Sequence, residues 1–109
     1  MGSAVIFPPL PKSIQGLAGP IRIDRPLVVD PKNPKNIGLW LGDERRILVC
    51  STLNREVAWQ VLLHELNHAA LSEAGCHPMS YTREESVVEA CASGFMHVLR
   101  HILKEKVSG

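Results

Sequence analysis

A chain of 109 residues has room for one small domain with a single modest core. Apolar residues make up 45% of it and charged residues 21%, a composition that is typical of globular proteins. The formal net charge is +1 and the Lys and Arg residues are scattered along the chain, so we expect no nucleic acid as a partner. No apolar run approaches the roughly 20 residues that span a bilayer, so we expect no membrane insertion.

The cysteines and the first residues indicate the cellular compartment of the protein. Cys50, Cys76 and Cys91 are widely spaced and form no CxxC pair, which excludes a zinc ribbon or a thioredoxin-like motif. We expect buried free thiols in a reducing compartment. The opening "MGSAVIFPPLP" has no charged segment followed by a long apolar run, so we expect no signal peptide. The cytoplasm of a bacterium or of a phage-infected cell fits both expectations.

The first third of the chain is rich in proline. Residues 1–36 contain all but one of the prolines, and "FPPLPKSIQGLAGP" cannot form a helix interior because proline lacks an amide donor and clashes with the preceding turn. We predict an extended arm with turns, followed by a first strand in "PIRIDRPLVV" that is interrupted at Pro26. We therefore divide one overall domain into an arm, residues 1–36, and a metal-binding part, residues 37–109.

Two strands and a helix follow. "IGLWLGDERRILVC" has two β-rich runs around Gly42 and Asp43, which predicts a hairpin. Asn54 or Thr52 then caps a helix from about residue 55 to residue 73, which ends at Gly75.

The last predicted helix begins at Thr82 and runs to about Lys104. Its opening "TREE" is a capping box, in which Thr82 is the N-cap and Glu85 reaches back to it. Strands followed by two helices favour the α+β class, with a small, mainly antiparallel sheet packed on the helices.

The first helix carries "HELNH" within an apolar sequence. His64 and His68 are one turn apart, roughly 6 Å along the axis, so both imidazoles can reach one metal ion. Glu65 lies about 100° round the helix from His64, where it can take a proton from a metal-bound water as a general base. The alternative is a buried helix with two hydrogen-bonded core histidines.

A zinc site that acts on substrates needs a third protein ligand and an open fourth position. Glu89 lies among apolar residues of the second helix, where a carboxylate needs a partner, and we predict it as the third ligand. Glu85 is the second choice, because it shares that face of the helix at i, i+4.

Four further polar residues have weaker assignments. His97 and His101 form another i, i+4 pair, for which a favourable interaction with the helix C-terminus and a second metal site are both open. His77 could line the cleft. Tyr81 could donate a hydrogen bond to a developing oxyanion, and we predict it as catalytic.

The segment "VLLHELNHAAL", followed by "EACASGF", resembles the zincin metallopeptidases whose third ligand is a glutamate of a second helix. Glu89 and Ala90 match the Glu-Ala pair of that pattern, while Val88 replaces its Asn and Ser93 its Asp. Residues 37–103 also resemble small phage and bacterial metallopeptidases of the ImmA/IrrE kind. The resemblance implies a minimal zincin-like fold, in which an edge strand within "IGLWLGDERRILV" holds an extended peptide by β-augmentation.

Together the residues and the resemblance predict a zinc-dependent metallopeptidase. Zn²⁺ would be held by His64, His68 and Glu89, with Glu65 as the general base that activates water for attack on a peptide or protein substrate. The alternative from another functional class is a non-hydrolytic metal-binding module, such as a phage accessory or protein-interaction domain. A small α+β protein without metal is the third hypothesis.

Overall fold

The computed structural model of the protein describes residues 5–75 and 80–108, apart from the side chains of Tyr81 and residues 106–108. Within these ranges strands precede two helices, as the sequence predicts, but there are four strands rather than the predicted three. The elements are β1 (Ser13–Gly16), β2 (Gly19–Asp24), β3 (Gly38–Leu41), β4 (Arg46–Val49), α1 (Arg55–Glu73) and α2 (Tyr81–Ser108).

The four strands form one sheet in the order β1-β2-β4-β3. β1 pairs with β2 and β3 with β4 in antiparallel fashion, while β2 and β4 run parallel, with Ile23 opposite Ile47. The sheet is thus mixed but mainly antiparallel, and it packs against two helices, so the predicted α+β class is confirmed. In this order β1 and β3 are the edge strands.

The proline-rich segment contributes two strands to this sheet. Only β2 corresponds to the predicted first strand, and it ends at Asp24, before Pro26. β1 was not predicted, because its four residues "SIQG" lie directly after a proline cluster and are too few to show a clear alternation. The division at residue 36 stays a prediction.

The hairpin around Gly42 and Asp43 is confirmed. β3 and β4 are joined by a turn in which the Arg45 N–H donates to Gly42 O at 3.2 Å. Arg45 itself has a φ of 48°, which is unusual for a residue other than glycine.

Helix α1 lies between the sheet and α2, and its ends match the prediction. The Asn54 side chain accepts a hydrogen bond from the Val57 N–H at 2.9 Å, and Gly75 has a φ of 74° just beyond the last turn. The core between α1 and one face of the sheet is made of Ile21, Ile23, Ile47, Val49, Ala58, Leu62 and Ala69. None of the helices in the described ranges combines the length and apolarity that a membrane crossing requires.

Helix α2 begins earlier than predicted. The Arg83 N–H donates to Ser80 Oγ at 3.3 Å and the Glu84 N–H donates to Ser80 O at 2.9 Å, so Ser80 is the N-cap. The predicted capping box at Thr82 is therefore wrong, since Thr82 already lies inside the helix. This two-residue shift moves Glu85 out of the capping position, and its carboxylate is available for contacts with α1.

Candidate metal centre

His64 and His68 lie on the side of α1 that faces the first turns of α2. Their ring centroids are 5.0 Å apart, with 61° between the ring planes. The i, i+4 spacing on one helix sets this separation, which brings both imidazoles to one shared space as the sequence predicts.

Glu85 of α2 completes a group of three possible ligands. Its Oε1 lies 2.8 Å from His68 Nε2, and its Oε2 lies 3.6 Å from His64 Nε2. One ligand atom from each of the three residues lies within 4.8 Å of the other two. Two nitrogen ligands and one carboxylate oxygen, with bonds of about 2.0–2.2 Å, are a ligand set that zinc accepts in tetrahedral sites, so the residues fit the ion.

The other nitrogen of each imidazole contacts a different carboxylate. His64 Nδ1 lies 2.5 Å from Glu89 Oε1, and His68 Nδ1 lies 2.6 Å from Glu84 Oε2. Glu84 and Glu85 therefore approach the two rings from one turn of α2 and Glu89 from the next, with Glu85 on the Nε2 side and the other two on the Nδ1 side.

Glu65 lies beside this group on α1. Its Oε2 is 4.0 Å from His64 Nε2, and its side chain is only 13% exposed. Burial raises the pKa of Glu65 above its ordinary value, and this desolvation outweighs the opposing effect of the two histidines. A carboxylate with a raised pKa is suited to taking a proton and returning it.

A cleft of about 330 Å³ opens next to His64 and Glu65. Edge strand β3 forms one wall, and it approaches α1 closely at Gly38, where a Cβ atom would come within 2.4 Å of Val61 Cγ1. Only glycine permits this distance between strand and helix. The cleft is lined by Asn36, Ile37, Gly38, Val57, Gln60, Val61, His64, Glu65, Glu89, Ala92 and Ser93.

The group is rich in side chains that bind metal ions. Four carboxylates, those of Glu65, Glu84, Glu85 and Glu89, lie around the imidazoles of His64 and His68. Imidazole nitrogens and carboxylate oxygens are ligands that divalent cations accept in proteins.

The remaining predicted residues fall in three places. Glu89, predicted as the third ligand, contacts His64 Nδ1, whereas Glu85 lies near the Nε2 atoms of both histidines; the choice between them stays a prediction. His77 and the side chain of Tyr81 lie outside the described residues. His97 and His101 are exposed on α2, which continues to Ser108, so neither reaches its last turn.

Sequence reasoning missed the contact between Glu84 and His68. The assignment of Thr82 as the N-cap placed Glu84 at the exposed start of the helix. The signal that was present is Ser80, whose hydroxyl makes it an equally good N-cap and places Glu84 and Glu85 deeper in the helix.

Comparisons of the chain with protein-family models, with curated proteins and with solved structures found no significant match. The features that bear on function are therefore those of the site itself: a possible metal-binding group formed by His64, His68 and Glu85.

Proposed function

We propose that the protein is a zinc-dependent metallopeptidase. The observation that carries the proposal is the combination of a His64, His68 and Glu85 ligand group with a second, largely buried carboxylate, Glu65, at the same site. A purely structural zinc site has four protein ligands and no use for a general base, so Glu65 favours catalysis. The likeness of "VLLHELNHAAL" to the zincins supports the same function.

Two residues are proposed for the third ligand position. The geometry favours Glu85, which lies 2.8 Å from His68 Nε2, while the resemblance favours Glu89. Glu85 and Glu89 are one turn apart on α2, so either carboxylate belongs to the same face of the helix.

The substrate is a peptide or protein segment in extended conformation. Among the residues that the structure describes, edge strand β3 has a neighbouring strand on one side only, and it borders the cleft that contains His64 and Glu65. An extended segment that pairs with β3 would pass over these side chains. His64, His68 and a glutamate of α2 would hold zinc, which would supply electrostatic polarisation and lower the pKa of a water molecule toward 7. Glu65 accepts the proton as the peptide carbonyl is attacked and passes it to the leaving amine.

The test is hydrolysis of a quenched-fluorescent peptide library by the zinc-loaded protein, compared with Glu65→Gln. We expect the variant to keep its zinc and to lose about 10²- to 10⁴-fold in rate, the usual contribution of a general base. Glu56→Gln is the matched control, because Glu56 is a carboxylate of the same helix that pairs with Arg100 away from the site.

Two results would contradict the proposal. One is a zinc-loaded protein that cleaves no member of the library, which would favour the non-hydrolytic metal-binding alternative. The other is a rate that is the same in Glu65→Gln and in the wild type, which would assign the hydrolysis to another site or to a contaminant.

A further inference from the structure

We infer that Glu84 and Glu89 are positioning residues, which hold His68 and His64 with their Nε2 atoms directed at the metal position. The inference rests on the proposed metal site and assigns it two residues beyond its ligands and its base. The supporting contacts are His68 Nδ1 to Glu84 Oε2 at 2.6 Å and His64 Nδ1 to Glu89 Oε1 at 2.5 Å.

The chemistry of imidazole explains the effect. A neutral imidazole has one N–H donor and one nitrogen with a free lone pair, and only the latter binds a metal. A carboxylate beside Nδ1 accepts a hydrogen bond from that nitrogen, so Nδ1 keeps its proton and Nε2 is the nitrogen that offers its lone pair when a metal ion is bound. The same contact fixes the plane of the ring and makes Nε2 more basic.

The second observation is the position of Glu85. It lies on the Nε2 side of both rings, at 2.8 Å from His68 and 3.6 Å from His64. The two nitrogens of each ring thus face different carboxylates. The carboxylate beside Nδ1 orients the ring, and the carboxylate beside Nε2 can bind the same metal ion as the ring. Each Nε2 atom is left facing the space that Glu85 borders.

The two positioning residues differ in exposure. The side chain of Glu84 is 18% exposed, whereas that of Glu89 is 65% exposed. Water can replace much of the Glu89 contact once the carboxylate is removed, but it has little access to the Glu84 contact. We therefore expect the loss of Glu84 to weaken metal binding more than the loss of Glu89.

The first experiment measures Zn²⁺ affinity of the full chain by competition with a chromophoric chelator. We expect Glu84→Ala to bind zinc about 10- to 100-fold more weakly, the usual effect of removing such a carboxylate, and Glu89→Ala to show a smaller loss. Glu84→Gln should recover part of the affinity, because its amide oxygen still accepts from Nδ1. Glu105→Ala is the control, an exposed carboxylate further along α2.

The second experiment records the histidine tautomers in the metal-free protein by long-range ¹H–¹⁵N NMR. We expect Nδ1 of both site histidines to carry a proton in the wild type. Glu84→Ala should shift His68 toward the Nε2–H tautomer and leave His64 unchanged, and Glu89→Ala should do the reverse. A general loss of structure would disturb both rings, so this pattern separates positioning from folding.

Three results would overturn the inference, and they differ from one another. Zinc affinity and tautomers that are unchanged in both variants would remove the positioning role and leave the metal site intact. Complete loss of zinc in Glu89→Ala would make Glu89 a ligand. A wild type that binds no zinc would defeat the metal site itself, together with this inference.

Discussion

Two carboxylate sites on α1 are built in opposite ways. Near the end of the helix, Glu73 has a side chain that is 7% exposed and forms an ion pair with Arg45 at 2.5 Å, and it accepts a hydrogen bond from the Ala18 N–H at 3.2 Å. In the middle of the helix, Glu65 and three carboxylates of α2 lie beside the imidazoles of His64 and His68. The first site pairs its carboxylate with a permanent cation, whereas the contacts described at the second are with imidazoles.

The first site is a structural ion pair, whereas the second is a possible metal-binding group. The Arg45–Glu73 pair joins the end of α1 to the turn between β3 and β4, and its charges are already matched. The site around His64 and His68 instead gathers imidazole nitrogens and carboxylate oxygens, which are possible ligands for a divalent cation. Variants in the two sites should therefore differ in their response to zinc.

The largest expected effect is the stabilisation by zinc. At a free concentration of about 100 times its Kd, zinc should add about 2.7 kcal/mol to the free energy of unfolding and raise Tm by on the order of 10 °C. Glu85→Ala should lose this increase, and Glu73→Ala should keep it even though its starting Tm is lower. Thermal unfolding followed by circular dichroism checks this, and equal zinc responses in the two variants would remove the distinction between the sites.

A smaller effect is expected at the start of α2. Ser80→Ala removes the N-cap and should cost about 1 kcal/mol in the free energy of unfolding. It should also weaken zinc binding, because the first two turns carry Glu84 and Glu85. Thr82→Ala, two residues later, is the matched control and should cost less in urea unfolding. If Thr82→Ala lowered the free energy of unfolding more than Ser80→Ala, Thr82 would be the N-cap, as the sequence predicts.

The smallest expected effect is the loss of stability of the Arg45–Glu73 pair at acidic pH. Burial alone would raise the pKa of Glu73, but the contacts with Arg45 and with the Ala18 N–H outweigh it and lower the pKa below the ordinary value. The folded protein therefore binds a proton at Glu73 less readily than the unfolded chain. The stability from this pair is complete above the ordinary pKa and is lost as the pH falls through the folded-state value.

Urea unfolding of the wild type and of Arg45→Ala, from about pH 6 to about pH 3, tests this sign. The difference in unfolding free energy should be largest at the upper end of that range and shrink toward the lower end. A difference that does not change with pH would show that the pair contributes through packing rather than charge. Zinc should be absent from both samples, so that the metal site does not contribute.

The sequence predicts the parts of the site that lie on one helix. His64, Glu65 and His68 are placed by the period of α1 alone, and the caps of that helix are signalled by Asn54 and Gly75. The contribution of α2 is less predictable, because it depends on where the helix begins and how it is rotated against α1. When the N-cap of α2 is moved from Thr82 to Ser80, the assignment of Glu85 changes from a capping residue to a possible metal ligand.

Short strands are hard to predict for a related reason. β1 has four residues, and its pairing with β2, rather than its own sequence, makes it a strand. The β3–β4 hairpin was predictable because a turn with Gly42 and Asp43 separates two β-rich runs. Local signals thus define the hairpin and α1, while β1 and the carboxylates of α2 depend on tertiary contacts.

The most direct test of the metal site is the metal content of the purified protein, measured by elemental analysis for the wild type, Glu85→Ala and Glu89→Ala. We predict about one zinc per chain in the wild type, none in Glu85→Ala, and zinc retained in Glu89→Ala. The opposite pattern in the two variants would make Glu89 the third ligand. A wild type that holds no zinc, even after zinc is added back, would contradict the account. The polar residues of "HELNH" would then have only a structural role in the packing of α1.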